Sequence, residues 1–202
     1  MSNNYTTAIA HLSAADPVLA AVIERVGPCE LAPTGHSFVT LADAIVSQQI
    51  SIQAAAAIMR RLEAALGAIT PEAILASSDE LLRAAGLSGQ KVRYLRDLAA
   101  YSASDGFARL PELDDEAAIL ALTAVKGVGR WTAEIYLLFA LGRPDILPAD
   151  DLGLRYAVQQ LYAMPEPPSA KAVRALGERW RPHRSVASWY LWRARRLPRD
   201  EG

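Results

Sequence analysis

Apolar residues along this chain recur mostly at spacings of three and four, which is the period of an α-helix. Residues 38–66 carry this pattern over a long alanine-rich stretch, and Gly67 follows where a helix C-cap is expected. Further stretches predicted as helices lie at 90–104, 114–124, 131–141, 152–162, 169–180 and 185–196. No segment alternates convincingly with a period of two, so the pattern predicts little or no β-sheet.

The segments between these helices are short and carry recognisable boundary signals. Ser77 and Glu80 are spaced as a capping box before LLRAAG, and acids cluster at 114–116, where the next helix would have its positive end. We predict an all-α protein of about nine or ten helices, with residues 1–202 forming two helical lobes. Residues 37–120 would form one lobe, and residues 121–202 with the N-terminal segment the other.

The string LTAVKGVGRWTAE at 122–134 places two glycines in an otherwise helical region. Each glycine costs about 1 kcal/mol relative to alanine inside a helix, which favours a break between two helices here. Gly127 and Gly129 permit positive φ angles and leave the backbone accessible on either side of Val128. Main-chain N–H groups at the start of the following helix would then bind an anion.

Polar side chains around this break fit the same role. Lys126 and Arg130 add positive charge, and Thr132 supplies a hydroxyl donor. A DNA phosphate, held without reading any base, suits this arrangement. The two glycines alone are equally consistent with a plain corner between packed helices.

Composition and charge limit the kinds of ligand, site and cellular location that we expect for the protein. The net charge is −1, but residues 1–125 contain 8 basic and 14 acidic residues, whereas residues 126–202 contain 13 and 8. This asymmetry is compatible with one face for an anionic ligand. Cys29 is the single cysteine, which excludes an internal disulfide and a four-cysteine zinc or iron–sulfur site. No transmembrane stretch or secretion signal is recognisable, so a cytoplasmic protein is expected, and the Ala- and Arg-rich composition favours a bacterial source.

The complete string L-x-x-V-K-G-V-G-R-W-T-A resembles the hairpin of the helix-hairpin-helix DNA glycosylases. LPADDLGLR at 147–155 is similar to the segment after that hairpin in the 3-methyladenine DNA glycosylase II (AlkA-type) branch. Three further segments resemble the same family, namely SQQISIQAAAAI, AAGLSGQKVRYLRDLA and ERWRPHRSVASWYLWR. The resemblance extends from about residue 37 to residue 195 and leaves no room for the N-terminal β-sheet lobe that some members carry.

This resemblance implies an enzyme of base excision repair with its active-site cleft between the two lobes. The expected reaction is hydrolysis of the N-glycosidic bond of alkylated purines, such as 3-methyladenine or 7-methylguanine, in double-stranded DNA. The base would be flipped out of the duplex, and an abasic site would remain. Asp151 takes the position of the catalytic acid and Asp150 lies beside it, although a one-residue difference in the loop would exchange them. An aspartate before a helix is also a common N-cap, which is the alternative for one of the pair.

The resemblance also assigns residues to the base pocket and to the DNA. Trp131 and Trp192 match aromatic pocket positions, and Tyr136 lies close to another, whereas Trp180 and Trp189 are expected in the core. Gln48 and Gln49 fall where relatives push a side chain into the DNA stack; a polar turn in an apolar helix is the alternative. Because bifunctional relatives carry a lysine at the position of Trp131, the protein is predicted to be monofunctional, without a lyase step.

No cofactor is expected. His11, His36 and His183 form no recognisable metal-ligand pattern, and the hairpin carbonyls are a candidate site for a monovalent cation at most. The partner is double-stranded DNA containing alkylated bases, with no membrane partner, and a monomer is the simplest expectation. Three alternatives stay open, namely a glycosylase for deaminated or oxidised bases, a non-catalytic DNA-binding or lesion-recognition module, and a structural helical adaptor.

Overall fold

A computed structural model describes residues 5–195 of the chain. Within that range the structure contains thirteen α-helices and no β-strand, which confirms the all-α prediction. The helices are α1 (Thr6–Ala15), α2 (Pro17–Val26), α3 (Phe38–Ser47), α4 (Ile52–Leu66), α5 (Pro71–Ala76), α6 (Asp79–Ala84), α7 (Gly89–Ser102), α8 (Asp105–Ala108), α9 (Asp115–Thr123), α10 (Arg130–Phe139), α11 (Leu152–Leu161), α12 (Ala170–Gly177) and α13 (Arg184–Ala194). Two short 3₁₀ segments, Leu110–Glu112 and Glu178–Trp180, complete the described secondary structure. None of the helices in residues 5–195 is long and apolar enough to cross a membrane.

Two helix boundaries differ from the sequence-based prediction. The stretch 38–66 is not one helix, because α3 ends at Ser47 and Gln49 adopts a left-handed φ of 58° before α4 begins. The predicted capping box is also wrong by one residue. The hydroxyl of Ser78 caps α6 by accepting from the Leu81 N–H, whereas the Ser77 hydroxyl donates to the Ala73 carbonyl of the preceding helix.

Nine helices begin behind an oxygen-bearing side chain that accepts a hydrogen bond from the first turn. These N-cap residues are Asp16, Ser37, Ser51, Thr70, Ser78, Ser88, Asp114, Asp151 and Ser169. Each such cap stabilises its helix by about 1 kcal/mol, because it satisfies a backbone N–H that has no partner inside the helix. The caps explain how a chain with many short helices has sharp helix boundaries.

The helices fall into two compact units. The first, here called the hairpin unit, comprises Thr34–Tyr136, and the described residues before and after it (5–33 and 137–195) form the second, here called the aspartate unit. The expected lobe boundary near residue 120 differs from this division, because the turn before α10 belongs to the hairpin unit. Hydrogen bonds from the Lys126 N–H to Asp97 and from Gln48 to the Gly127 carbonyl fix the turn there. The first four and last seven residues of the predicted 1–202 unit lie outside the described residues.

Each unit is built around one central helix. In the hairpin unit α7 packs against α3, α5, α6 and α8. In the aspartate unit α13 packs against α1, α2 and α11, and its apolar residues are buried together with Trp180 and Trp189. The burial of these two tryptophans confirms that they belong to the core.

A buried carboxylate organises the aspartate unit. Asp16 is 1% exposed, caps α2, and accepts hydrogen bonds from the Tyr162 hydroxyl (2.6 Å) and the Trp180 indole N–H (2.9 Å). Burial, with the neighbouring Asp16 carboxylate, raises the pKa of Tyr162. Since a buried carboxylate must be fully hydrogen-bonded, this network ties three distant parts of the sequence together.

Candidate functional site

The two glycines between α9 and α10 have different structural reasons. Gly127 has a φ of +86°, and a Cβ atom there would lie 2.3 Å from the ring of Tyr94, so no other residue fits without a rearrangement. Gly129 has no positive φ, and a Cβ there would meet nothing within 4 Å. The fold therefore requires Gly127, whereas Gly129 leaves open space next to the backbone at the start of α10.

Hydrogen bonds from backbone N–H groups hold the turn around the two glycines in place. The N–H of Lys126 donates to Asp97 Oδ2 (2.7 Å), and the N–H of Val128 donates to the Val125 carbonyl (3.1 Å). The side chain of Val128 is buried, which anchors the turn, while the side chain of Lys126 is exposed. The Val125 and Gly127 carbonyls, which are candidate ligands for a monovalent cation, already accept one hydrogen bond each.

A groove of about 720 Å³ lies against this turn and is formed entirely by the hairpin unit. Three chain segments and Ile58 of α4 line it; the segments are residues 48–50, residues 86–94 around the start of α7, and residues 123–129. The hairpin and the predicted stack-inserting segment thus lie on one surface. This agrees with their assignment to a common ligand.

Gln48 and Gln49 have separate roles on this surface. Gln48 Nε2 donates to the Gly127 carbonyl (2.8 Å), so this side chain ties the loop to the hairpin. Lys91 reinforces the loop by donating to the Val46 and Gln48 carbonyls, and desolvation lowers the pKa of its ammonium group. Gln49, by contrast, is exposed and held in the left-handed region, a conformation that costs about 1–2 kcal/mol outside glycine. Such local strain is frequent where a side chain is presented for function.

The predicted phosphate-binding role of Arg130 is not supported by its surroundings. Its guanidinium donates two hydrogen bonds to Glu116 (2.6 and 3.0 Å) and one to Glu134 (2.9 Å). These contacts raise the pKa of Arg130, chiefly through the bond to Glu116, and compensate its charge. Thr132 is also placed differently from the prediction, because it is only 5% exposed and therefore faces the core. The positive charge at the hairpin comes from Lys126.

The aromatic residues of α10 differ in exposure. Trp131, in the first turn, is 43% exposed, as a residue that stacks on a ligand would be. Tyr136 is 2% exposed, and its hydroxyl bonds to His36 Nδ1 (2.8 Å) and accepts from the Ser37 N–H (3.1 Å). Burial raises the pKa of Tyr136 to about 12. These contacts favour a packing role for Tyr136 over the predicted place in a base pocket.

Asp151 is held rigidly in the aspartate unit. It is the N-cap of α11, and its Oδ1 accepts from the Leu154 N–H (2.6 Å) and from the Trp192 indole N–H (2.9 Å). These two donors hold Oδ1 in one orientation at the start of α11. The prediction of an N-cap and the prediction of a functional carboxylate therefore fall on the same residue.

Asp150 has a different environment although it is the preceding residue. Its side chain is about half exposed and forms an ion pair with Arg174 (2.5 Å between Oδ2 and the guanidinium). The pair lies on the surface. The surroundings thus separate the two acids that the sequence leaves interchangeable.

Trp192 connects Asp151 to an aromatic pair. Its ring stacks on Phe139 at a centroid distance of 5.6 Å, and its indole N–H donates a hydrogen bond to Asp151. Trp192 therefore donates the hydrogen bond that orients the carboxylate, and its place in a base pocket stays a prediction. The sequence gives no separate sign of this hydrogen bond, because the two residues are 41 positions apart.

A model of the HhH-GPD superfamily base excision DNA repair proteins matches residues 42–182. The chain belongs to this family. DNA-3-methyladenine glycosylase 1 of Schizosaccharomyces pombe is 34% identical over 95% of this chain and 88% of its own length.

Solved structures of the HhH-GPD family show the same fold. A DNA-3-methyladenine glycosidase from Bacillus halodurans superimposes with a TM-score of 0.86 at 36% identity, covering 96% of this chain and 91% of the other. The S. pombe 3-methyladenine DNA glycosylase Mag1, solved in complex with abasic DNA, gives a TM-score of 0.84 at 33% identity, covering 95% and 98%. These values confirm the resemblance on which the sequence-based assignment rested.

Several residues around the hairpin, and others around Asp151, were not predicted from the HhH-GPD resemblance. They are Tyr94 and Asp97 under the hairpin, Lys91 under the loop, Phe139 beside Trp192, and Arg195 beside Asp151. The first three lie within the segment AAGLSGQKVRYLRDLA, whose similarity to the family was visible without indicating which residues mattered. Phe139 and Arg195 have no signal in the pattern, because only the fold brings them to the site.

Proposed function

We propose that the protein is a monofunctional DNA glycosylase that hydrolyses the N-glycosidic bond of alkylated purines in double-stranded DNA. Membership of a base excision repair family supports this proposal, as do the names of the relatives, which are DNA-3-methyladenine glycosylases. The observation that carries it is the carboxylate of Asp151, fixed by Leu154 and Trp192 at the start of α11. A DNA-binding module has no use for an oriented carboxylate, since it would repel phosphates.

The chemistry follows from this carboxylate. When the C1′–N bond breaks, its electron pair leaves with the base, and the sugar becomes positively charged at C1′. The ionised Asp151 stabilises that charge, and the two donors to Oδ1 keep the carboxylate in place, so that little reorganisation is needed. Water then adds to C1′ while Asp151 orients it or accepts its proton, which leaves an abasic site and the free base.

Alkylated purines suit a site that has one catalytic carboxylate and no general acid for the leaving base. Alkylation at N3 or N7 places a positive charge on the base, which then departs as a neutral molecule and needs little help from an acid. An exposed indole binds such a cation with about 0.5–2 kcal/mol through its ring face. We assign this role to Trp131 and Trp192, the two tryptophans of the four that are not in the core.

DNA binding is assigned to the hairpin unit. The backbone at Gly129 with the side chain of Lys126 would hold a phosphate, because the N terminus of α10 carries a partial positive charge and is accessible. Gln49 would fill the space left in the duplex when the nucleotide is flipped out, and Gln48 with Lys91 would support it. Val128 contributes by anchoring the turn rather than by contact.

The decisive experiment measures release of free bases from methylated duplex DNA by chromatography, with the wild type, Asp151→Asn and Asp150→Asn. Asparagine caps a helix about as well as aspartate, so both variants should fold. We expect the wild type to release 3-methyladenine or 7-methylguanine, and Asp151→Asn to lose at least about 100-fold in rate. Asp150→Asn, the matched control, should stay within a few-fold of the wild type, since it removes only an exposed ion pair.

Other outcomes of this experiment would point to the alternatives. Release lost in Asp150→Asn but kept in Asp151→Asn would exchange the two roles. Binding of duplex DNA without release of any base would indicate a non-catalytic DNA-binding module. Release of deaminated or oxidised bases alone would indicate a glycosylase with a different substrate. Strand cleavage of the product without added base would contradict the monofunctional assignment, which rests on Trp131 occupying the place of the lyase lysine.

A further inference from the structure

Gly153, two residues after Asp151, has an unusual reason to be glycine. It lies inside α11 and its φ is not positive, so the backbone conformation does not require glycine. A Cβ atom there would lie 3.0 Å from Asp151 Oδ1, 2.9 Å from the Arg195 guanidinium and 3.8 Å from the Trp192 ring. The missing side chain therefore leaves room for three functional groups that meet over one point of the helix.

Arg195 is the unexplained member of this cluster. Because its Nη1 and the Asp151 Oδ1 both lie within 3.0 Å of that point, they are at most about 6 Å apart, a distance at which charges interact strongly outside bulk water. Its guanidinium also lies 5.8 Å from the ring of Tyr156, which is 46% exposed. Within residues 5–195, Arg195 forms no direct ion pair with an acid, so the nearby Asp151 compensates its charge only in part.

We propose that Arg195 binds the DNA phosphate next to the nucleotide whose base is removed, and that Gly153 is the residue that makes room for it. The inference rests on the proposed function and deepens it, since it names the part of the substrate held beside Asp151. A guanidinium suits a phosphate because its planar donors match two phosphate oxygens at once. The exposed ring of Tyr156 supports the guanidinium from below and limits the positions that it can take.

The charge of the reaction explains why the ligand is the phosphate and not the base. An alkylated purine is itself cationic, so Arg195 would repel it. A bare guanidinium so close to Asp151 would also oppose the positive charge that develops at C1′. A phosphate bound to Arg195 removes that opposition, so the carboxylate acts fully only when the sugar–phosphate backbone is correctly seated.

The test uses Arg195→Ala and Arg195→Lys with Arg193→Ala as the matched control. Arg193 lies in the last turn of α13, two residues before Arg195. Its guanidinium is 3.7 Å from Glu30 and 4.9 Å from the Trp189 ring centroid, so it already has partners. Affinity for methylated duplex DNA is measured over a range of salt concentrations, and the rate of base release is measured at saturating protein. We expect Arg195→Ala to bind about tenfold more weakly, with the slope of log K against log salt reduced in magnitude by about 0.9, the value for one phosphate.

Arg195→Lys should restore the salt slope, because lysine keeps the charge, but only part of the affinity, because lysine lacks the planar pair of donors. Arg193→Ala should leave both the affinity and the salt slope unchanged. An unchanged salt slope in Arg195→Ala would overturn the proposal, as would an equal loss in Arg193→Ala. Both results are distinct from failure of the proposed function, in which the wild type itself would release no base.

Discussion

The hairpin and the surroundings of Asp151 would, in the proposed function, recognise DNA in opposite ways. At the hairpin the binding surface is backbone, and the side chains of Val128, Arg130 and Thr132 are buried or paired within the protein. Around Asp151 the surface consists of side chains, namely a carboxylate, an indole and a guanidinium that meet over Gly153. Backbone groups hold a phosphate without regard to sequence, whereas an oriented carboxylate can stabilise a transition state. The difference assigns the chemistry to the second region, together with the one phosphate contact proposed for Arg195, and the contacts to the rest of the DNA backbone to the first.

The largest effect we expect separates the two glycines of the hairpin. Gly127→Ala should destabilise the protein by about 3 kcal/mol, because alanine must adopt a positive φ and displace the ring of Tyr94. Gly129→Ala should change the free energy of unfolding by less than about 1 kcal/mol, since its Cβ would meet nothing. Urea denaturation of both variants measures this, and equal destabilisation would contradict the separate roles of the glycines.

The next effect concerns the donor to the carboxylate. Trp192→Phe keeps an aromatic ring but removes the N–H that Asp151 accepts, and we expect the rate of base release at saturating protein to fall about tenfold. The affinity for DNA should change little. Trp189→Phe is the control, because Trp189 is a buried residue of the same helix and the indole that donates to Asp151 is that of Trp192. A similar loss of rate in Trp189→Phe would indicate that destabilisation of α13, and not the lost hydrogen bond, lowers the rate.

A smaller effect is expected for DNA binding at Gly129. A methyl group in the open space at the start of α10 would lie where we place the phosphate, so Gly129→Ala should weaken binding about fivefold. The measurement is fluorescence anisotropy with an undamaged duplex at fixed salt. Unaltered affinity would show that the phosphate does not approach this backbone.

The smallest effect concerns the compensated arginine. Glu116→Gln weakens the pair that holds Arg130, so the guanidinium gains access to DNA, and binding should become about twofold tighter with a steeper salt dependence. Glu112→Gln is the control for a general change in charge, because Glu112 pairs with Arg109 instead. Equal tightening in both variants would show a nonspecific charge effect.

Helix period, N-cap residues and glycines made much of the hairpin unit predictable, because all are local in sequence. The break at Gln49 was missed, since its apolar flanks continue the helical period on both sides. The contacts of Arg130 were not predictable, because a basic residue beside a glycine turn gives no sign of the acids that pair with it, Glu116 and Glu134. Similarity to a family predicted Asp151 as the catalytic position, and this stays a prediction. The fold adds that Asp151 accepts from Trp192, whereas Asp150 pairs with Arg174.

The separation of affinity from chemistry is tested most directly by one titration. Base release from methylated duplex DNA is followed in single turnovers at increasing protein concentration, for Gly129→Ala and for Asp151→Asn. We predict that Gly129→Ala raises the half-saturating concentration about fivefold and reaches the wild-type plateau rate, whereas Asp151→Asn keeps the half-saturating concentration of DNA binding and loses at least about 100-fold in plateau rate. The account would be contradicted if Gly129→Ala lowered the plateau rate by as large a factor as the affinity. It would also be contradicted if Asp151→Asn weakened DNA binding and kept the wild-type plateau rate.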